Sequence, residues 1–177
     1  RRGLRLAGEG ALEAAFRDFD NGRLIFGMKE FLSDPDFPGT KFQGKVWRLS
    51  ELVAIIMRTI KREAEEEAEV PITRAVVGFP VVFPGAEGPE FARRQKIARK
   101  RVERAAELAG FTDIVMVNEA EAAGQTLERQ EGVVLSLDFG GGTFDAELVK
   151  FKGGGLTQLS SQGVSVGGDL LDEQIFR

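Results

Sequence analysis

The chain has 177 residues, of which 42% are hydrophobic and 29% charged, and its formal net charge is −4. It contains no cysteine, histidine or tyrosine, which excludes disulfides, thiol nucleophiles, cysteine-based zinc sites and the serine–histidine pair. No apolar stretch approaches the ~20 residues of a membrane span, and residues 1–15 lack the apolar middle of a secretory signal. We therefore expect a cytoplasmic protein with no membrane partner, whose acid–base chemistry depends on Asp, Glu or Lys.

The first third of the chain predicts two short helical segments, at residues 11–19 and 24–32, and then a loop over residues 34–39. Ser50 is predicted to cap a helix that runs to about residue 69. Apolar residues recur every four positions along that helix and predict its buried stripe: Leu52, Ile56, Ile60 and Ala64.

From residue 72 onwards, short apolar runs alternate with helical patterns. They predict strands 75–79, 114–117, 133–137, 144–151 and 156–164, and helices 90–109, 119–129 and a last one that begins at Asp169. The continuous apolar run 133–137 is typical of a strand covered on both faces, and residues 153–155 join the last two strands into a meander. The alternation predicts an α/β fold with mixed sheets flanked by helices.

The strongest local signal is residues 138–145, DFGGGTFD, in which a strand delivers an aspartate, turns on three glycines and leaves along a second strand. Glycines let phosphate oxygens approach main-chain N–H groups with no Cβ in the way, and Thr143 adds a hydroxyl donor. Asp138 and Asp145 could hold magnesium through water or accept a proton from an attacking water. The alternative is a plain hairpin turn, which is how we interpret residues 153–155. The P-loop and Rossmann patterns, which open a helix, do not match.

Residues 138–145 resemble the second phosphate loop of the DnaK-type heat-shock protein 70 chaperones, which belong to the actin-like ATPase superfamily. Three other segments resemble motifs of that family in the same order: 74–83 (RAVVGFPVVF), 117–124 (VNEAEAAG) and 163–172 (GVSVGGDLLD). The wording of 115–124 and the extra loop after Pro80 are most similar to the divergent bacterial YegD-like branch.

The resemblance implies an actin-like (ribonuclease H-like) fold, in which a domain of two lobes is present only in part. Residues 1–130 would belong to the first lobe and 131–177 would begin the second. It also implies ATP or ADP and Mg²⁺ as ligands. The residues implied to bind nucleotide are Gly140, Gly141, Gly142, Thr143, Gly167 and Gly168, with Asp138 and Glu119 near the metal. The residues implied to be catalytic are Thr143, Asp145 as proton acceptor, and Lys29.

Lys29 comes from a weaker match, in which residues 23–32 (RLIFGMKEFL) resemble the segment with the family's catalytic lysine. The alternative is an ordinary solvated lysine on a short amphipathic helix. Pro80 would relay the nucleotide state together with an arginine, for which Arg93 and Arg94 compete. Ala120 stands where the family usually has proline, which implies an altered relay.

The resemblance implies that the parent protein hydrolyses ATP and couples nucleotide state to the binding of unfolded polypeptide clients, with co-chaperones as further partners. The family's first phosphate loop does not occur in these 177 residues, so we expect them to bind ATP weakly or not at all and to be inactive alone. Two alternatives remain, a cytoskeletal actin-like ATPase and a nucleotide-binding pseudoenzyme scaffold.

The helix 90–109 is rich in Arg and Lys, which suggests nucleic-acid binding, but we do not expect it. Acidic residues lie among the basic ones, and no aromatic stacking positions alternate with them. The basic residues are interpreted as the solvated face of a helix whose buried stripe is Ala98, Val102, Ala105 and Ala109.

Overall fold

The structure is a computed structural model and describes residues 6–18, 22–25, 27–42, 44–86, 88–119, 122, 131–152, 155–164 and 166–176. Its α-helices are α1 (Glu9–Arg17), α2 (Leu49–Ala68), α3 (Phe91–Ala109) and α4 (Gly168–Ile175), with 3₁₀ helices at Met28–Phe31 and Gly88–Glu90. Its strands are β1 (Gly39–Phe42), β2 (Lys45–Arg48), β3 (Arg74–Phe79), β4 (Asp113–Asn118), β5 (Gly132–Phe139), β6 (Phe144–Lys152) and β7 (Gly155–Val164). Most of the predicted helix 119–129 and the turn at 153–154 lie outside the described residues. None of the described helices is both long and apolar enough to cross a bilayer.

The central unit is β3–α3–β4, in which β3 and β4 pair in parallel from Arg74 opposite Asp113 to Phe79 opposite Asn118. Parallel neighbours need a long crossover, and α3 supplies it. Helices α2 and α3 pack on each other, and one apolar core joins them to β3, β4 and the 3₁₀ helix Met28–Phe31. Its buried members are Leu32, Leu49, Phe83, Ala86, Ala98 and Val102.

Helix α3 confirms its predicted stripe, since Ala98, Val102, Ala105 and Ala109 are all buried. Their three- and four-residue spacing keeps them on one face. Gly110 ends the helix at a φ of 99°, and its N–H donates to the last turn. This is the left-handed cap that glycine adopts at no steric cost.

Helix α2 begins earlier than predicted, and Ser50 is not its cap. Arg48 occupies the cap position, where its main-chain N–H donates to the Glu51 carboxylate over 2.9 Å. The predicted stripe was confirmed at Leu52, which is buried, and wrong at Ile60, which is 59% exposed, while the unpredicted Leu49 is buried. A strict four-residue repeat advances by about 40° at each step, so it leaves the buried face within two steps.

The segment 24–32 is helical only at the 3₁₀ turn Met28–Phe31, so the longer predicted helix was wrong. Gly27 precedes this turn with a φ of 65°, in the left-handed region, which separates it from residues 24–25. The antiparallel hairpin of β1 and β2 that follows was not predicted, because two strands of four residues each give too short a periodicity.

Strands β5, β6 and β7 form an antiparallel sheet in that order, which confirms the predicted meander. The predicted covering of β5 on both faces was wrong for the described residues. The side chains of one β5 face are between 56% and 60% exposed, namely Val133, Leu135, Leu137 and Phe139. The sheet register turns the opposite face of β5 and β6, with Asp138 and Asp145, towards the helical part of the molecule.

Candidate functional site

A small pocket lies where the ends of β3 and β4 meet the sheet β5–β6–β7. It has a volume of about 10 Å³, room for roughly one water molecule. Pro80 and Val81 come directly after β3, and Glu119 comes directly after β4. These residues lie together because the carboxyl ends of parallel strands meet at one edge of a sheet. The sheet supplies the remaining wall, which consists of Ser136, Asp138 and Asp145.

Asp145 is the buried carboxylate of this pocket, with only 7% of its surface exposed. It lies directly opposite Asp138 on β5. Burial raises the pKa of Asp145, and the negative charge of Asp138 raises it further. A hydrogen bond with Thr143, the charge of Lys29 and a hydrogen bond from the main chain of Val82 act against this rise. Among the described residues, Oδ1 of Asp145 has no hydrogen-bond partner, and it is buried against Gly163.

The side chain of Lys29 extends from the 3₁₀ helix Met28–Phe31 towards Glu119 of this pocket. Its Nζ lies 3.7 Å from Oε2 of Glu119, and both side chains are partly exposed, by 48% and 39%. The charge of Lys29 also acts on Asp145, where it reduces the rise in the pKa that burial causes. The predicted residues Lys29, Glu119, Asp138 and Asp145 are therefore brought together around one pocket.

The glycine turn at residues 140–142 is held closed by its own backbone, since the N–H of Gly140 donates to the carbonyl of Thr143 over 2.9 Å. In the part of the chain that the structure describes, the N–H groups of Gly141 and Gly142 have no main-chain acceptor, and Gly141 is exposed. Main-chain amides on a turn without Cβ atoms can form an anion-binding concavity, although the carboxylate of Asp169 lies beside Gly141, 3.2 Å from the position that a Cβ would take there.

The second predicted glycine pair braces this turn. Gly168 and Asp169 donate their N–H groups to the carbonyls of Gly140 and Gly141, over 3.0 and 2.8 Å. A Cβ on Gly167 would collide with the Gly141 carbonyl, so only glycine permits this close approach. The two predicted nucleotide segments thus contact each other, and direct binding of nucleotide by Gly167 and Gly168 stays a prediction.

Sequence reasoning missed Gly163 as a residue of the site. It lies directly opposite Asp145 on β7, and a Cβ there would collide with Oδ1 of Asp145 and come within 3.0 Å of Val82. Gly163 is the first residue of the segment 163–172 that the sequence singled out, but only the register of β6 and β7 shows that it lies opposite Asp145.

The choice of an arginine partner for Pro80 stays open. Arg93 pairs with Glu90 at 2.6 Å and Arg94 donates to the carbonyl of Gly85 at 3.1 Å. Arg99, which the sequence did not single out, lies 4.5 Å from the ring centroid of Phe79, the residue before Pro80. Ala120 lies outside the described residues.

The acidic residues of the pocket suit a magnesium ion held largely through water. Within the described ranges, no three acidic side chains are close enough to bind a metal ion directly. Mg²⁺ commonly keeps several waters and takes one or two carboxylates together with phosphate oxygens. Asp138 and Glu119 are placed on two walls of one pocket, which fits that mode of binding.

Comparison with known proteins gives one family. The family model described as Hsp70 protein matches residues 30–177, a match that begins one residue after Lys29. The chain is 33% identical over 135 residues to a chaperone protein HscA homolog of Rickettsia felis, covering 74% of this chain and 20% of that protein. It is 31% identical over 141 residues to the chaperone protein DnaK of Thermosipho melanesiensis, covering 77% and 22%. The chain spans about a fifth of the length of these curated relatives.

Proposed function

Because this chain belongs to the Hsp70 family, we propose that it forms part of a domain that binds and hydrolyses ATP with Mg²⁺. The observation that carries the proposal is the convergence of one ammonium and three carboxylates on a pocket beside a glycine turn. Phosphoryl transfer depends mainly on positioning and on compensation of charge, and these groups supply both.

Each residue has a separate role in this proposal. The main-chain N–H groups of Gly141 and Gly142 bind phosphate oxygens, and the hydroxyl of Thr143 orients Asp145 through their hydrogen bond. A magnesium ion, when bound, offsets phosphate charge, and Asp138 and Glu119 hold its water molecules.

Asp145 accepts a proton from the attacking water. Its raised pKa makes it a stronger base than an exposed aspartate. Lys29 contributes a compact positive charge that stabilises the transferring phosphoryl group and orients that water.

The finer statements follow from the same proposal. Residues 1–130 belong to the first lobe and 131–177 begin the second, and nucleotide state is transmitted through Pro80 to the binding of unfolded polypeptides in the cytoplasm. These 177 residues alone hold nucleotide weakly, because a pocket of about 10 Å³ does not enclose a triphosphate. The YegD-like branch remains a finer prediction of the same kind.

The test is single-turnover ATP hydrolysis by the full-length protein that carries this chain. We expect Lys29→Ala to slow hydrolysis by roughly 10² to 10³-fold and Asp145→Asn by roughly 10² to 10⁴-fold. Lys96→Ala and Asp36→Asn, at exposed positions outside the pocket, serve as matched controls and leave the rate unchanged. Unchanged rates in both site variants would remove the proposed roles, and ATP binding without turnover by the unaltered protein would favour a pseudoenzyme scaffold.

A further inference from the structure

Arg101 on α3 makes an unusual set of contacts with the segment that carries Lys29. Its Nη1 donates to the main-chain carbonyls of Phe31, Leu32 and Asp34 at 3.0, 3.0 and 2.7 Å, and its Nη2 donates to that of Phe37 at 3.0 Å. These carbonyls lie more than 60 residues before Arg101 in the sequence. One guanidinium therefore fixes the whole turn that follows the 3₁₀ helix.

The turn needs this arginine because, among the described residues, the carbonyls of Leu32, Asp34 and Phe37 accept no main-chain hydrogen bond. The 3₁₀ helix uses only short-range bonds, with Leu32 N–H donating to Lys29 O over 3.3 Å and Asp34 N–H to Phe31 O over 3.2 Å. Main-chain carbonyls that are removed from water need a donor. A planar guanidinium has five N–H donors in a fixed fork, whereas a lysine has a single nitrogen.

The core fixes this segment from the other side. Leu32 is buried in the main core, and Met28 packs partly against it. Lys29 lies between these two anchors, with its side chain directed to Glu119. Burial lowers the pKa of Arg101, and the charge of Asp34 opposes that change.

We propose that Arg101 is a positioning residue, whose guanidinium holds the turn after Lys29 and so sets where the Lys29 ammonium lies relative to Glu119 and Asp145. This inference rests on the proposed role of Lys29 in hydrolysis. Arg101 is not among the described residues that line the pocket, and its hydrogen bonds with the turn go to main-chain carbonyls.

The test compares Arg101→Lys with Arg104→Lys in the full-length protein. Both changes keep one positive charge on α3, and Arg104 is an exposed residue paired only with Glu107 among its described contacts. We expect Arg101→Lys to slow single-turnover hydrolysis by roughly 10 to 100-fold, since small misplacements of a reacting group have effects of this size. The dissociation constant for ATP should change by less than about threefold, whereas Arg104→Lys alters neither quantity.

A double-mutant cycle separates positioning from general loss of structure. If Arg101 acts through Lys29, Arg101→Lys slows the unaltered protein but causes no further loss in a Lys29→Ala background. An equal loss in both backgrounds, a parallel loss of ATP affinity, or no loss at all overturns the proposal. Unchanged hydrolysis in Lys29→Ala alone would instead overturn the proposed role of the lysine.

A second variant covers the case in which Arg101→Lys fails to fold. Arg101→Ala is assayed with and without guanidinium ion at a concentration below that which unfolds the protein. Partial recovery of the hydrolysis rate would support the interpretation that Arg101→Ala is slow because the contacts with the main-chain carbonyls are lost. No recovery of the rate, while circular dichroism shows that Arg101→Ala is folded with and without guanidinium, contradicts the proposal.

Discussion

The helical half of the molecule buries mostly apolar side chains, whereas the sheet β5–β6–β7 buries polar side chains beside apolar ones such as Val149. Where α2 and α3 pack on β3 and β4, the buried side chains are almost all apolar, as at Leu49, Phe83 and Val102. In the sheet, the buried face includes Thr143 and Asp145, whereas the apolar side chains of β5 lie exposed on the other face. The helical half therefore holds most of the apolar core, and the inner face of the sheet holds the buried Asp145 of the proposed site.

This difference shows how the site can hold acidic groups that are costly to bury. A buried carboxylate destabilises the fold unless charge or hydrogen bonds offset it. The sheet supplies Asp138 and Asp145, and the compensation for Asp145 comes first from Thr143, next to β6, and then from the Lys29 charge and the Val82 main chain of the helical half. Neither half contains a complete site among its described residues.

The largest expected effect tests the comparison directly, with the same substitution in each half. Leu49 is 2% exposed and Leu135 is 58% exposed. We expect Leu49→Ala to lower the free energy of unfolding of the 177-residue chain by about 2–5 kcal/mol. Leu135→Ala should change it by no more than about 0.5 kcal/mol. Urea denaturation measures both, and equal losses would mean that the outer face of β5 is covered after all.

A smaller effect is expected where the two halves meet, at Gly163. A Cβ there would collide with Oδ1 of Asp145 and press on Val82, so we expect Gly163→Ala to slow hydrolysis by the full-length protein by roughly 100-fold, through displacement of Asp145. Gly10→Ala is the control, because a Cβ at that α1 position has no neighbour within 4 Å. A normal hydrolysis rate in Gly163→Ala would show that the carboxylate can move without loss, and would contradict its proposed role.

The sequence predicted what depends on local spacing and missed what depends on long-range register. The stripe of α3 and the turn between Asp138 and Asp145 were predicted because each lies within a short window with clear periodicity or composition. The contact of Gly163 with Asp145 needs the pairing of β6 with β7, and that of Arg101 with Phe37 spans 64 residues. No local pattern contains either contact, so only the folded chain could provide them.

The smallest expected effect concerns the stability cost of Asp145, the proposed proton acceptor. Burial and the charge of Asp138 disfavour the ionised form of Asp145 in the folded chain, so Asp145→Asn, which removes that charge, should raise the free energy of unfolding at pH 7 by on the order of 1 kcal/mol. The same variant loses hydrolysis, which is the trade between stability and function expected at an active site.

The pH dependence of that gain has a definite sign. The folded state raises the pKa of Asp145 above its ordinary value of 3.8, so the folded chain retains this proton to higher pH than the unfolded chain does. The free energy of unfolding therefore falls as pH rises through that interval, and the stabilising effect of Asp145→Asn is near zero below pH 3.8 and grows towards neutral pH. Chemical denaturation across this range measures it, with Asp36→Asn as the control for removal of one acidic group. A gain that is independent of pH, or a loss of stability at pH 7, would show that the helical half already compensates the charge in full.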